Sequence, residues 1–208
     1  MNNRLKIKVC GMKYPENIAA IDALDVDFIG LIFHQASKRY LTNEESALIP
    51  ITKASKVGVF THHTVNEILE YASNFDLKII QLHGAYTASE VDYLKSIGFT
   101  VWKCFHIDAQ FDAEVLTSYA NADAFIFDTA GALLGGNGFS FDWQLLMQFE
   151  ITRPFLLSGG ISLASLASLK GFHHPFLFGL DLNSQFEIQP ALKNESLIKS
   201  FIQQINTI

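Results

Sequence analysis

Eight short apolar runs, their near-constant spacing and the helix starts between them predict an α/β chain folded as one (β/α)8 (TIM) barrel. The runs open near Lys6 (KIKVCG), Phe28 (FIGLIF), Lys56 (KVGVF), Lys78 (KIIQLH), Thr100 (TVWKCF), Ala124 (AFIFD), Phe155 (FLLSGG) and Pro175 (PFLFGLD). Seven intervals between Lys6 and Pro175 average about 24 residues, one strand plus one crossover helix. Nearly every position within a run is apolar, as in parallel strands covered on both faces. An open doubly wound sheet shows the same alternation, so closure is an expectation for the structure to test.

The intervening segments carry recognisable boundaries. Pro15 starts PENIAAIDAL as a first-turn proline, with Glu16 against the helix dipole. Thr42 with Glu45, Thr64 with Glu67 and Thr87 with Glu90 each read as a capping box opening a helix. After Thr64, the residues Val65, Ile68, Leu69 and Ala72 share one face, and Gly98 ends the following helix. The stretch DAQFDAEVLTSYANAD gives only a poor stripe for a fifth helix. Ser162 starts a helix after the seventh strand, and SLIKSFIQQI closes the chain with Leu197, Ile198, Phe201, Ile202 and Ile205 inward.

Composition narrows the function. The 208 residues, 49% hydrophobic and 17% charged, suit a single domain over 1–208 with a sizeable core. A net charge of −6 and only three arginines argue against a nucleic-acid surface. Two cysteines, Cys10 and Cys104, make no disulfide scaffold. Lys6 and Lys8 interrupt any apolar leader, and no 18-residue apolar run is present. The expectation is therefore no signal peptide, no membrane span and a reducing cytoplasmic setting.

Chemistry in such a barrel gathers where strands end. Cys10 and Asp128 end the first and sixth strands, so closure aims both at one mouth. A thiolate is a competent base, and a buried carboxylic acid can stay protonated and act as an acid. Together they could shuttle protons on a carbon next to a carbonyl or imine. Either residue could instead be structural: Cys10 as a small core hydrophobe, as Cys104 is expected to be with no acid nearby. Arg39 is taken as the cation nearest the mouth, its planar fork suited to a carboxylate, with a surface ion pair as the plain alternative. Gly159-Gly160 lies between a strand and a helix start, where backbone N–H groups can hold a phosphate. Gly135-Gly136-Asn137-Gly138 falls in the longest interval and reads as a mobile lid. Glycines at either place could merely permit turns. Strand-end His62-His63 and His83 invite a metal, but their apparent lack of carboxylate partners argues for none. His173-His174 reads as a solvated loop.

These stretches taken in order are similar to one family. Lys8-Val9-Cys10-Gly11-Met12, Gly30-Leu31-Ile32-Phe33 leading to Ser37-Lys38-Arg39-Tyr40, and Val57-Gly58-Val59-Phe60 come first. Gln81-Leu82-His83-Gly84, Phe127-Asp128-Thr129 and the glycine cluster running to Phe141-Asp142-Trp143 follow. Ser158-Gly159-Gly160 and Asp181-Leu182-Asn183-Ser184 complete the set. Over nearly its whole length the chain resembles the N-(5′-phosphoribosyl)anthranilate isomerases of tryptophan biosynthesis. The resemblance implies an Amadori rearrangement of a small phosphorylated substrate, aminoaldose to aminoketose, without metal or organic cofactor. It implies Asp128 as general acid on the ribose ring oxygen and Cys10 as general base at C2′. It places Arg39 at the anthranilate carboxylate, Gln81, His83 and Asp181 against substrate, and Gly159, Gly160, Asn183 and Ser184 at the phosphate. A monomer is favoured, with a homodimer as the alternative.

The chain also departs from the family pattern. Lys38 stands where proline is usual, Asn137 where Thr or Ser is common, Phe139 in place of a frequently charged residue and Ala191 in place of glycine. These bear on affinity and loop motion rather than on reaction type. Two other readings stay open: a metal-dependent pentose-phosphate epimerase, and a catalytically silent phosphate-binding barrel.

Overall fold

The computed structural model describes residues 4–108, 110–129 and 143–205. Strands β1 (Lys6–Cys10), β2 (Phe28–Ile32), β3 (Ser55–Phe60), β4 (Ile79–Leu82), β5 (Thr100–Ile107), β6 (Ala124–Thr129), β7 (Phe155–Leu157) and β8 (Leu177–Leu182) pair in parallel, each with the next. The β1–β8 pairing closes the barrel, which removes the open-sheet alternative. Register then fixes which residues share the mouth. Cys10 lies opposite Gly30, Lys8 opposite Asp181 and His106 opposite Asp128. Facing residues of a parallel pair project to the same side, and so do residues two apart on one strand.

The crossovers are less uniform than the sequence predicts. Helix α1 (Pro15–Asp22) starts on Pro15, as expected. The Thr42–Glu45 box is formed, but it opens a 3-10 helix, Asn43–Leu48, that buries no residue; with no apolar face to dock, nothing extends it. Helix α2 (Val65–Phe75) keeps its Thr64 box and buries Ile68, Tyr71, Ala72 and Phe75, a face turned slightly from the expected stripe. Helix α3 (Ala88–Ser96) keeps the Thr87 box, and Gly98 follows it at φ +102°. The fifth crossover contains a single turn, α4 (Val115–Ser118), burying Leu116 alone. A 3-10 helix, Trp143–Gln148, precedes β7. The Ser162 start opens a 3-10 turn that runs into α5 (Leu166–Gly171). Helix α6 (Glu195–Ile205) closes the chain on Ile198, Phe201 and Ile205.

One element was not anticipated. Between β8 and α6 an antiparallel hairpin forms from β9 (Glu187–Gln189) and β10 (Leu192–Lys193). Its turn holds Ala191 at φ +71°, in the left-handed region where a glycine carries no Cβ penalty.

The core has two parts. A large cluster fills the space between strands and helices. A smaller one, Val57, Ile79, Trp102, Cys104, Ala124, Ile126 and Leu156, plugs the barrel and floors the mouth. Cys104 is therefore a core residue, as expected. The expectation of no acid near it fails, since Asp128 adds to the burial that pushes its thiol upward.

Candidate active site

Cys10 ends β1 with its sulfur against Gly30. A Cβ built on Gly30 would stand 2.7 Å from the Cys10 sulfur and 3.1 Å from Lys8 Nζ. Lys8 is fully buried, and its ammonium donates to both Asp181 oxygens at 2.9 and 3.0 Å. Burial pulls its pKa down, but Asp181 and Cys10 together hold it above the ordinary lysine range. For Cys10 the balance runs the other way. Burial pushes the thiol up, Lys8 pulls it down and Asp181 pushes it up again, leaving it raised. Lys8, not Arg39, is thus the buried cation closest to the predicted base.

Asp128, near the end of β6, is held above the usual carboxylate range. Burial is the main cause and the Asp181 charge the second, while His106, a Ser158 hydrogen bond and Lys8 pull the other way. His83 Nε2 and His106 Nε2 lie 2.8 Å apart in a hydrogen bond. Burial and its neighbour pull His83 down to about 4, so its ring is neutral near pH 7. Ligand atoms of His83, His106 and Asp128 all lie within 4.8 Å of one another, the one set of residues among those described that could hold a metal ion. The expectation that His83 lacks a carboxylate neighbour is therefore wrong: closing the barrel brings Asp128 beside it.

Asp128 opens onto a cavity of about 280 Å³. His106 and Asp181 line it, as do Gly159, Gly160, Asn183 and Ser184 from the loops after β7 and β8. Gly159 and Gly160 both adopt left-handed backbone, at φ +77° and +68°, which side-chain-bearing residues rarely adopt. Consecutive backbone of this kind can turn N–H groups toward an anion. Gln81 is buried beneath, its Oε1 unpartnered among the described residues.

Arg39 sits beside the mouth rather than free within it. Its Nε and Nη2 donate to the two Glu187 oxygens at 2.8 and 2.5 Å. Burial pushes Glu187 up, but hydrogen bonds from Arg39 and Lys193 outweigh this and hold it below the usual range. Lys193 Nζ bridges Glu187 at 2.7 Å and Asn183 Oδ1 at 2.8 Å, tying the hairpin to the expected phosphate loop. Gly11, at φ +74°, leaves room for Arg39 to pass: a Cβ there would collide with Arg39 Cδ.

Asp128, Asp181, Gly159, Gly160, Asn183 and Ser184 thus share one cavity, and Cys10 joins them through Lys8 and Asp181. The expected lid residues Gly135, Gly136 and Gly138, with Asn137 and Phe139, lie outside the described residues. Four site residues escaped the sequence reading: Lys8, His106, Glu187 and Lys193. The first two carry a signal, since each stands two positions from a cysteine on an inward-facing strand. The other two had none, because a hairpin this short leaves no periodic pattern.

Residues 7–204 match the protein family described as N-(5′-phosphoribosyl)anthranilate (PRA) isomerase. The chain belongs to this family. An N-(5′-phosphoribosyl)anthranilate isomerase from Parabacteroides distasonis is 40% identical over 204 residues, covering 96% of this chain and 92% of its own. One from Phocaeicola vulgatus is 40% identical over 200 residues, covering 96% and 97%. The crystal structure of the Thermotoga maritima phosphoribosylanthranilate isomerase matches at TM-score 0.83 and 28% identity, over 98% of this chain and all of that one. A phosphoribosylanthranilate isomerase bound to reduced 1-(o-carboxyphenylamino)-1-deoxyribulose 5-phosphate matches at TM-score 0.81 and 26% identity, over 98% and 100%.

Proposed function

We propose that this chain is a phosphoribosylanthranilate isomerase of tryptophan biosynthesis, working by acid–base catalysis with Asp128 and Cys10. The observation that carries the mechanism is Asp128: a carboxyl raised by burial and by Asp181, opening on the same cavity as the left-handed Gly159-Gly160 pair. Asp128 gives its proton to the ribose ring oxygen, the C1′–O bond breaks, and the anilino nitrogen's electron pair forms a Schiff base. The Cys10 thiolate takes the C2′ proton, and the C–H electron pair moves toward nitrogen to give an enolamine. Tautomerisation moves a proton from the C2′ oxygen to C1′, which yields the ketone. Asp128 then regains a proton and Cys10 loses one.

Gly159, Gly160, Asn183 and Ser184 hold the 5′-phosphate, whose two negative charges a nest of N–H groups can meet without basic side chains. Arg39 meets the anthranilate carboxylate through Nη1, the guanidinium nitrogen that Glu187 leaves. Gln81, His83 and Asp181 contact substrate, and neutral His83 is assigned no proton transfer. The reaction as written uses no metal and no organic cofactor. Residues 1–208 act as one domain, favoured as a monomer. No helix among the described residues is long and apolar enough to cross a membrane, which supports the cytoplasmic setting proposed here. The test is direct: enzymatically generated phosphoribosylanthranilate loses its fluorescence on mixing with the protein. Persistent fluorescence, with no rescue of a tryptophan auxotroph lacking this step, rejects the assignment.

A further inference from the structure

A thiol in this place is a poor base unless something holds its anion. Cys10 is almost wholly buried, and burial is the largest influence keeping its proton on. The charged groups facing it come from four parts of the fold. Lys8 stands two residues earlier on β1, Asp181 on β8, Lys193 on β10 and Arg39 in the loop after β2. Glu187 already engages Arg39 and Lys193 at hydrogen-bond distance. Lys8 differs, because it is divided between Asp181 and the sulfur: its Nζ and the Cys10 Sγ flank the same face of Gly30.

We propose that Lys8 is the positioning residue of the base, its buried ammonium holding the Cys10 thiolate while Asp181 sets how much of that charge the sulfur feels. This rests on Cys10 acting as the base. In the step itself the C2′ proton ends on sulfur, and Lys8 keeps all its protons throughout. A buried lysine beside a carboxylate could be no more than a core ion pair. The two roles differ in what they do to the sulfur.

The test reads the thiol rather than the reaction. In Cys104→Ala protein, Cys10 is the one remaining cysteine, and its thiolate absorbance is followed against pH with Cys10→Ser as the blank. Lys8→Met should move the midpoint upward by at least about one pH unit, a tenfold loss of thiolate at a fixed pH below it. Lys8→Arg should restore most of it. Asp181→Asn should move the midpoint downward, because the ammonium then faces the sulfur alone. Part of that downward shift is Asp181's own repulsion of the sulfur, so if Lys8→Met does not fold, Lys8→Gln decides the matter: it should raise the midpoint as Lys8→Met does, and an unmoved midpoint overturns the proposal. Midpoints unmoved by Asp181→Asn, or moved upward, overturn the proposal. A wild-type rate in Cys10→Ser would instead reject the base assignment, and the thiol titration would still report on Lys8.

Discussion

Gly30→Ala should cost the enzyme far more in activity than in stability. Gly30 is not among the positive-φ glycines, so alanine meets no backbone penalty. It gains about 0.4–1 kcal/mol from a less free unfolded chain. The added methyl, however, lands 2.7 Å from the Cys10 sulfur, where carbon and sulfur need at least about 3.5 Å. Overpacking of this kind costs about 1–3 kcal/mol, so the net loss of stability is about 0–2.5 kcal/mol. In a chain of this size each kcal/mol moves Tm by about 2–4 °C. Catalysis suffers more. The sulfur must retreat by about 1 Å, and a misplacement of that size can cost about 10²-fold. Gly58→Ala is the control: its Cβ would press Leu77 Cδ1 at 2.5 Å and Phe60 Cε2 at 2.7 Å, both in the outer core. The assay is kcat/KM by loss of substrate fluorescence, with urea denaturation of both variants. Gly30→Ala should lose about 10²-fold in kcat/KM, and Gly58→Ala should lose stability alone. If Gly30→Ala keeps kcat/KM within about threefold of wild type, the placement of the base against Gly30 is wrong.

Other outcomes follow from the same geometry. Cys10→Ser and Asp128→Asn should each lower turnover at least ~10²-fold with the fold kept, as shown by kcat and circular dichroism. Asp128→Asn should also raise thermal stability at pH 7. Because its folded value is raised, the stability Asp128 contributes is lost as pH rises through that value, and asparagine has no charge to bury. The advantage should vanish below about pH 3.8, where both folded and unfolded Asp128 are protonated. Glu187 has the opposite sign: its lowered value makes acid favour unfolding, so stability should fall as pH drops below 4.5. Glu187→Gln should flatten that slope in melts taken against pH. Arg39→Ala should raise KM more than it lowers kcat, and unchanged kcat/KM refutes its role at the carboxylate. Full activity should survive exhaustive chelation, since the steps assign His83, His106 and Asp128 no metal; loss restored by a divalent ion would favour the epimerase reading.

The strands were legible because parallel strands buried on both faces are apolar throughout, and Cys10 and Asp128 stood out as polar ends of such runs. Caps were legible for the same local reason: the Thr42, Thr64 and Thr87 boxes all formed. What lay beyond them was not, since helix length depends on an apolar face finding a partner, and the Thr42 segment has none. The sequence leaves Arg39 open between a substrate carboxylate and an ion pair, because Glu187 lies 148 residues away and comes beside it only through a hairpin. The role of Lys8 is hidden in the sequence for the opposite reason. A lysine near the N-terminus reads as solvated charge until β8 closes over it with Asp181.

Proton removal from C2′ by the Cys10 sulfur is the central step of the proposed mechanism. Single-turnover rates with substrate deuterated at C2′ test it, comparing wild type with Cys10→Ser. A slower deuterated reaction in wild type, and a chemical step nearly abolished in Cys10→Ser with ligand still bound, is the predicted result. Equal rates for both isotopes together with a competent Cys10→Ser enzyme would contradict it.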